Sequence, residues 1–149
     1  MVTFFASARS ASPSRVDVDV RQFSFVIDEP PSLGGTDAGP NPVEMVLSAL
    51  LGCMNVVVRL VAQECGVQVH ALEMSAEGDL DPAKFFGKDV DTRAGFSGIR
   101  LHLAIEADAL EDEIHRIVEE SKRRCPVGDN LLDRTPLTVE VHTLAAAAA

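Results

Sequence analysis

The sequence predicts an α+β domain, and three observations carry that prediction. Apolar residues alternate with polar ones at Val16, Val18 and Val20 and again at Ile99, Leu101, Leu103 and Ile105, the two-residue period of half-buried strands. Between them lies an apolar stretch, Val43 to Ala62, with helix-start residues before it and Gly66 after it. The resulting order is strands, a long central helix, two strands, a helix and a strand, so that runs of strands pack on helices. With 149 residues, 46% of them hydrophobic and 24% charged, the chain suits a single domain, 1–149, with a core of its own.

Taken in order, Val2 to Ala6 is a short apolar run that suits an edge strand, and Ser7–Arg15 is a polar connector. The apolar parity of Val16, Val18 and Val20 flips to Phe23, Phe25 and Ile27, which requires either a bulge near Arg21–Gln22 or two strands meeting at a bend. Glu29 to Pro40 is dense in turn formers and cannot continue a strand. It delivers the chain to Asn41-Pro42-Val43-Glu44, where Asn41 suits an N-cap, Pro42 the first helical position and Glu44 the third. The helix runs to about Glu64–Cys65 and stops at Gly66.

Val67 to about Asp79 reads as a strand with Leu72, Met74 and Ala76 on one face. Residues 78–98 form a long polar connection, and 99–105 is the cleanest strand. Asp108 to Arg124 is an amphipathic helix whose acidic opening and basic end (Lys122, Arg123, Arg124) complement its dipole. Leu137, Val139 and Val141 alternate as a last strand, and Ala145–Ala149 is a low-complexity tail.

Composition narrows the function. Thirteen Lys and Arg against 23 Asp and Glu give a formal net charge of −10, which repels phosphate backbones and anionic lipid. No nucleic-acid and no membrane partner is expected. The stretch Val43–Ala62 has the length of a bilayer span, but Asn55 and Arg59 would lie well inside it, where a charge is costly. It reads instead as a helix buried in a soluble protein. It is apolar on nearly every face, more than one small sheet can cover, which implies a second subunit and a homodimer. Met1–Ser14 lacks the basic and apolar regions of a secretory leader, so the expected compartment is the reducing cytoplasm.

Three cysteines are the chemical candidates. Cys53 and Cys65 lie twelve residues apart on one helix, roughly 18 Å at ~1.5 Å per residue, too far for a disulfide. Cys65 reads as a small hydrophobe or exposed thiol near the helix end. Cys53, beside Gly52, is either a packing residue or a nucleophile. Cys125 ends a helix, with Lys122-Arg123-Arg124 favouring its thiolate and the helix C-terminus opposing it. The four histidines show no ligand spacing, so neither a metal nor another cofactor is expected.

Gly39-Pro40-Asn41-Pro42-Val43-Glu44-Met45, then Leu50-Leu51-Gly52-Cys53 and, far downstream, Cys125-Pro126-Val127 resemble the OsmC/Ohr superfamily, the osmotically inducible and organic-hydroperoxide-resistance proteins. The resemblance runs from about Val20 to His142 and takes in Asp28-Glu29-Pro30, Leu33-Gly34-Gly35, Gly95-Phe96 and Ile99-Arg100. It implies an OsmC-like fold, an intertwined homodimer with sheets flanking two central helices, and active sites at the subunit interface. It also implies a thiol-dependent peroxidase that reduces a small-molecule hydroperoxide. Cys53 is then the peroxidatic nucleophile, Cys125 the resolving thiol, and an external dithiol the reductant. A non-catalytic small-ligand-binding protein or a redox sensor is the alternative.

The chain departs from the family pattern at one position. The well-characterised peroxidases carry a glutamate ten residues before the helix cysteine, helping to hold an arginine at the thiolate. Here that position is Val43, and Glu44 stands nine before. Glu44 is thus either a site residue or the helix-cap partner. Arg9, Arg15 and Arg21 compete for the arginine's place, and Arg21 stands as the candidate.

Overall fold

A computed structural model describes residues 1–143. A three-stranded antiparallel sheet, β1 (Ser7–Ser10), β2 (Val16–Val20) and β3 (Phe23–Ile27), leads through a turn-rich loop into the central helix α1 (Pro42–Glu64). A long hairpin, β4 (Val69–Asp79) and β5 (Gly98–Ala107), follows, and then helices α2 (Glu111–Arg124) and α3 (Pro126–Leu132). The architecture is α+β, as the sequence predicts.

The parity flip is a hairpin. Val16, Val18 and Val20 pair with Ile27, Phe25 and Phe23, so a two-residue turn at Arg21–Gln22 puts all six apolar side chains on one face. Arg21 takes the left-handed conformation that the turn needs, at φ 56°. The first strand differs from expectation, forming at Ser7–Ser10 opposite Val16–Asp19 rather than at Val2–Ala6. Backbone pairing across the Ala11–Arg15 turn decides it, and the apolar run, with Phe4 and Phe5 exposed, is left outside the sheet.

Helix α1 begins with a reciprocal capping box. The Glu44 N–H donates to Asn41 Oδ1 at 2.9 Å, and the Asn41 N–H donates to Glu44 Oε2 at 2.8 Å. It ends in a Schellman motif, with Gly66 at φ 74°, its N–H donating to the Gln63 carbonyl and that of Val67 to the Ala62 carbonyl. Met54, Val58, Val61 and Ala62 are fully buried in a core shared with Val67, Val69 and Ile117. Against it lies one face of the β4–β5 hairpin, where Leu72 pairs with Ile105, Met74 with Leu103 and Ala76 with Leu101. Gly78 sits where a Cβ would come within 2.6 Å of the Phe96 ring.

Two further differences concern the C-terminal part. Pro126 occupies the first position of α3, a helix absent from the sequence-based expectation. Leu137, Val139 and Val141 are exposed and form no strand among the described residues. The Ala145–Ala149 tail lies outside the described residues.

The three-stranded sheet shares almost no packing with the helices or with the β4–β5 hairpin. Its apolar face is only partly covered: Val18 is buried, while Phe23 is 53% exposed. On α1, Val43, Val56 and Leu60 are exposed as well.

Candidate functional site

Two elements bring the site together. Cys53 lies midway along α1, packed against the core and half-buried. Cys125 is fully buried in the one-residue joint between α2 and α3. The joint turns the chain sharply because Cys125 is extended, with ψ 108°, as a residue before proline prefers to be. That turn lays α3 back against α1 and makes Cys53 a neighbour of Cys125 close enough to influence its protonation. They are 72 residues apart along the chain (125 − 53).

The Cys125 sulfur also caps α3, accepting the Gly128 N–H at 3.3 Å. Burial is the largest influence on this thiol and pushes its pKa up; the neighbouring Cys53 pushes it the same way, while the Gly128 N–H opposes them. Cys125 is therefore a protonated thiol at neutral pH. The cations Lys122 and Arg123 are occupied elsewhere, on Glu119 and Glu120, and Arg124 reaches Glu64 on α1.

Cys125 also lines a pocket of about 420 Å³ whose walls are mainly aliphatic: Leu50 and Met54 of α1, Ile99 and Leu101 of β5, and Leu131 of α3. Arg93 and Lys122 are its cationic members. The sequence reading missed this pocket because its walls come from three separate stretches of the chain; only the apolar alternation of β5 hinted at it.

The other two candidates lie elsewhere. Glu44 is held in the capping box of α1, and nine residues of helix separate it from Cys53 by roughly 13 Å along the axis and half a turn around it. Arg21 stands at the tip of the first hairpin, its guanidinium 5.2 Å from the centre of the Phe23 ring. Of its competitors, Arg15 pairs with Asp17 at 2.8 Å and Arg9 lies exposed in β1. Cys65, at the C-cap of α1, is exposed. Among the described residues no three His, Cys, Asp or Glu side chains gather as a metal site would require.

A residue the sequence reading did not single out organises the approach to α1. Asp28 is buried, and its carboxylate accepts the N–H groups of Glu29, Thr36 and Ala38 and the Thr36 hydroxyl. The Thr36 hydroxyl, followed by these backbone donors, holds the carboxyl far below its ordinary pKa despite burial. The loop closes tightly around it. At Gly35 a Cβ would fall 1.7 Å from the Glu29 carbonyl oxygen.

Comparison with known proteins agrees with this geometry. The family model of the OsmC-like proteins matches residues 35–142, a span that contains both thiols, α1 and the whole β4–α3 region. The chain belongs to the OsmC-like family. No curated protein matches it. Among solved structures it is similar to an OsmC-like protein of Mycoplasma pneumoniae, with 22% identity, 89% of each chain covered and a TM-score of 0.76. It is also similar to an organic hydroperoxide resistance protein of Legionella pneumophila, with 21% identity, 88% of this chain and 90% of that one covered, and a TM-score of 0.66. A third is the organic hydroperoxide resistance protein OhrB of Bacillus subtilis, at 19% identity, 89% and 93% coverage and a TM-score of 0.57. At these identities the likeness establishes the OsmC-like fold.

Proposed function

We propose that this OsmC-like protein is a cysteine-based peroxidase that reduces organic hydroperoxides through Cys53 and Cys125. The observation that carries the reading is the meeting of these two thiols beside an aliphatic pocket. The organic hydroperoxide resistance proteins among its structural relatives agree with it.

The burial of Cys125 divides the labour. A thiol kept protonated is a poor first nucleophile, so Cys53, the more accessible of the pair, attacks. The Cys53 thiolate attacks the terminal oxygen of the hydroperoxide and displaces the alkoxide. The S–O bond forms as the O–O bond breaks, giving a sulfenic acid and an alkoxide that takes up a proton and leaves as alcohol. Cys125 then condenses with the sulfenic acid, losing its proton, and water departs as the disulfide forms. An external dithiol restores both thiols and is itself oxidised to a disulfide. No cofactor enters the cycle.

We place the working form as a homodimer in the cytoplasm. The partly covered face of the first sheet, the exposed alternating segment at 137–141 and the exposed apolar side chains of α1 support a second copy of the chain. In that assembly a first-hairpin arginine, Arg21 foremost, would reach the partner's Cys53. The test is consumption of an organic hydroperoxide with a dithiol in excess. The wild type turns over, Cys53→Ser does not, and Cys125→Ser gives one fast equivalent and then stalls. Equal consumption by Cys53→Ser and the wild type would end the proposal.

A further inference from the structure

The hydrogen bonds that shape the Cys125 joint are nearly all local. The Gly128 N–H donates to the Cys125 sulfur, the Asp129 N–H to the Cys125 carbonyl at 2.9 Å, and the Asn130 amide to the Pro126 carbonyl at 2.8 Å. None of them reaches the helix that carries Cys53. Ile117, Cys125, Val127 and Leu131 pack α2 and α3 onto α1, but apolar contacts are non-directional and fix neither the slide nor the rotation of one helix on another.

One polar link does reach α1. Arg124, the residue just before Cys125, donates from Nη1 to Glu64 Oε2 at 2.5 Å and from Nη2 to Glu64 Oε1 at 3.0 Å. Among the described residues no other hydrogen bond or ion pair joins α1 to α2 or α3. Glu64 lies eleven residues beyond Cys53 (64 − 53), three turns and about 20° around the axis, so the two share a face of the helix. It also stands at the last position of α1, where no basic residue is present and the helix dipole disfavours a carboxylate. Its place is unfavourable for α1 alone and is accounted for by Arg124, whose guanidinium holds the Glu64 carboxyl below its ordinary pKa.

Resting on the peroxidase reading for its chemistry, we propose that the Glu64–Arg124 pair positions Cys125 for disulfide closure, holding the joint in the register on α1 from which its sulfur meets Cys53. A disulfide forms only over a narrow range of Cα separations and torsions, and the buried Cys125 cannot search for that geometry as an exposed thiol could. A guanidinium forked on a carboxylate sets direction as well as distance. Both are positioning residues, and both lie outside the aliphatic pocket.

The deciding variant is Glu64→Gln, which breaks the ion pair, leaves the Arg124 cation beside Cys125 and relieves the helix dipole. After one equivalent of cumene hydroperoxide, mass spectrometry of acid-quenched samples separates the two steps: Cys53 gains one oxygen, and water is then lost as the disulfide closes. Glu64→Gln forms the sulfenic acid at the wild-type rate and closes the disulfide about fivefold more slowly, the scale of one half-exposed, bidentate ion pair. With excess hydroperoxide it accumulates more Cys53 sulfinic acid than the wild type. Added KCl slows closure in the wild type towards the rate of the variant and leaves the variant unchanged, a comparison that holds whatever the substitution does to stability. Closure at the wild-type rate in Glu64→Gln, or an equal slowing of both steps, would overturn the assignment. Diamide separates this failure from that of the peroxidase reading, because it adds to one thiol and departs as the hydrazine when the second thiol displaces it. A wild type that consumes no hydroperoxide but closes the disulfide with diamide about fivefold faster than Glu64→Gln would keep the positioning role and remove the peroxidase.

Discussion

Asp28 can stay ionised inside the protein because three backbone N–H groups and the Thr36 hydroxyl replace the water it loses. Its depressed pKa ties stability to pH. Unfolded, the carboxyl titrates near ~3.9, and folded it titrates lower, so its contribution is complete above about pH 4 and is lost as pH falls towards the folded value. Asp28→Asn should lower Tm at pH 7, and the gap to the wild type should narrow as thermal scans move below about pH 4. A gap that is constant with pH would show that shape rather than charge matters there. Gly35→Ala should cost about 2–3 kcal/mol in denaturant unfolding, because the Cβ would overlap the Glu29 carbonyl and the loop around Asp28 would open. The importance of Asp28 was hard to read in the sequence. An acid before a Pro- and Gly-rich run looks like an ordinary turn residue, and its donors lie up to ten positions away.

Helix α1 shows what local sequence can specify. Asn41, Pro42, Glu44 and Gly66 were legible as cap and stop because capping acts over three or four residues, and all four take those places. Asn41→Ala should cost about 1 kcal/mol, read as a shift in the urea midpoint. Glu44→Gln keeps the hydrogen bond to the cap and should leave hydroperoxide turnover unchanged, since Glu44 faces away from Cys53. A loss of turnover in Glu44→Gln with stability intact would return it to the site. The β4–β5 hairpin was equally legible from its two-residue period. Helix α3 was not, since seven residues starting at a proline resemble a loop when nothing shows that a sulfur caps them. The position of β1 escaped for a related reason: Val2–Ala6 has the better strand composition, but Ser7–Ser10 has the partner.

At the scale of the whole molecule, single-chain packing accounts for the helices and the long hairpin but covers the first sheet only in part, leaving Phe23 and Phe25 exposed. In the proposed dimer a second copy of the chain supplies the remaining cover. Sedimentation should give twice the chain mass, and Val56→Asp with Leu60→Asp on the exposed side of α1 should give monomers with reduced thermal stability. A wild type that sediments as a stable monomer would refute this assembly. The pairing of the thiols also belongs to this scale, because it depends on α2, the Cys125 joint and α3 folding together over α1. The sequence marked both cysteines through their surroundings, while their approach is a property of the fold alone. The most direct test is therefore peptide mapping after one equivalent of an organic hydroperoxide, without reductant. The account predicts a disulfide-linked pair of peptides containing Cys53 and Cys125, with Cys65 still free. Recovery of both as thiols, or of Cys53 as sulfinic acid beside a reduced Cys125, would contradict it.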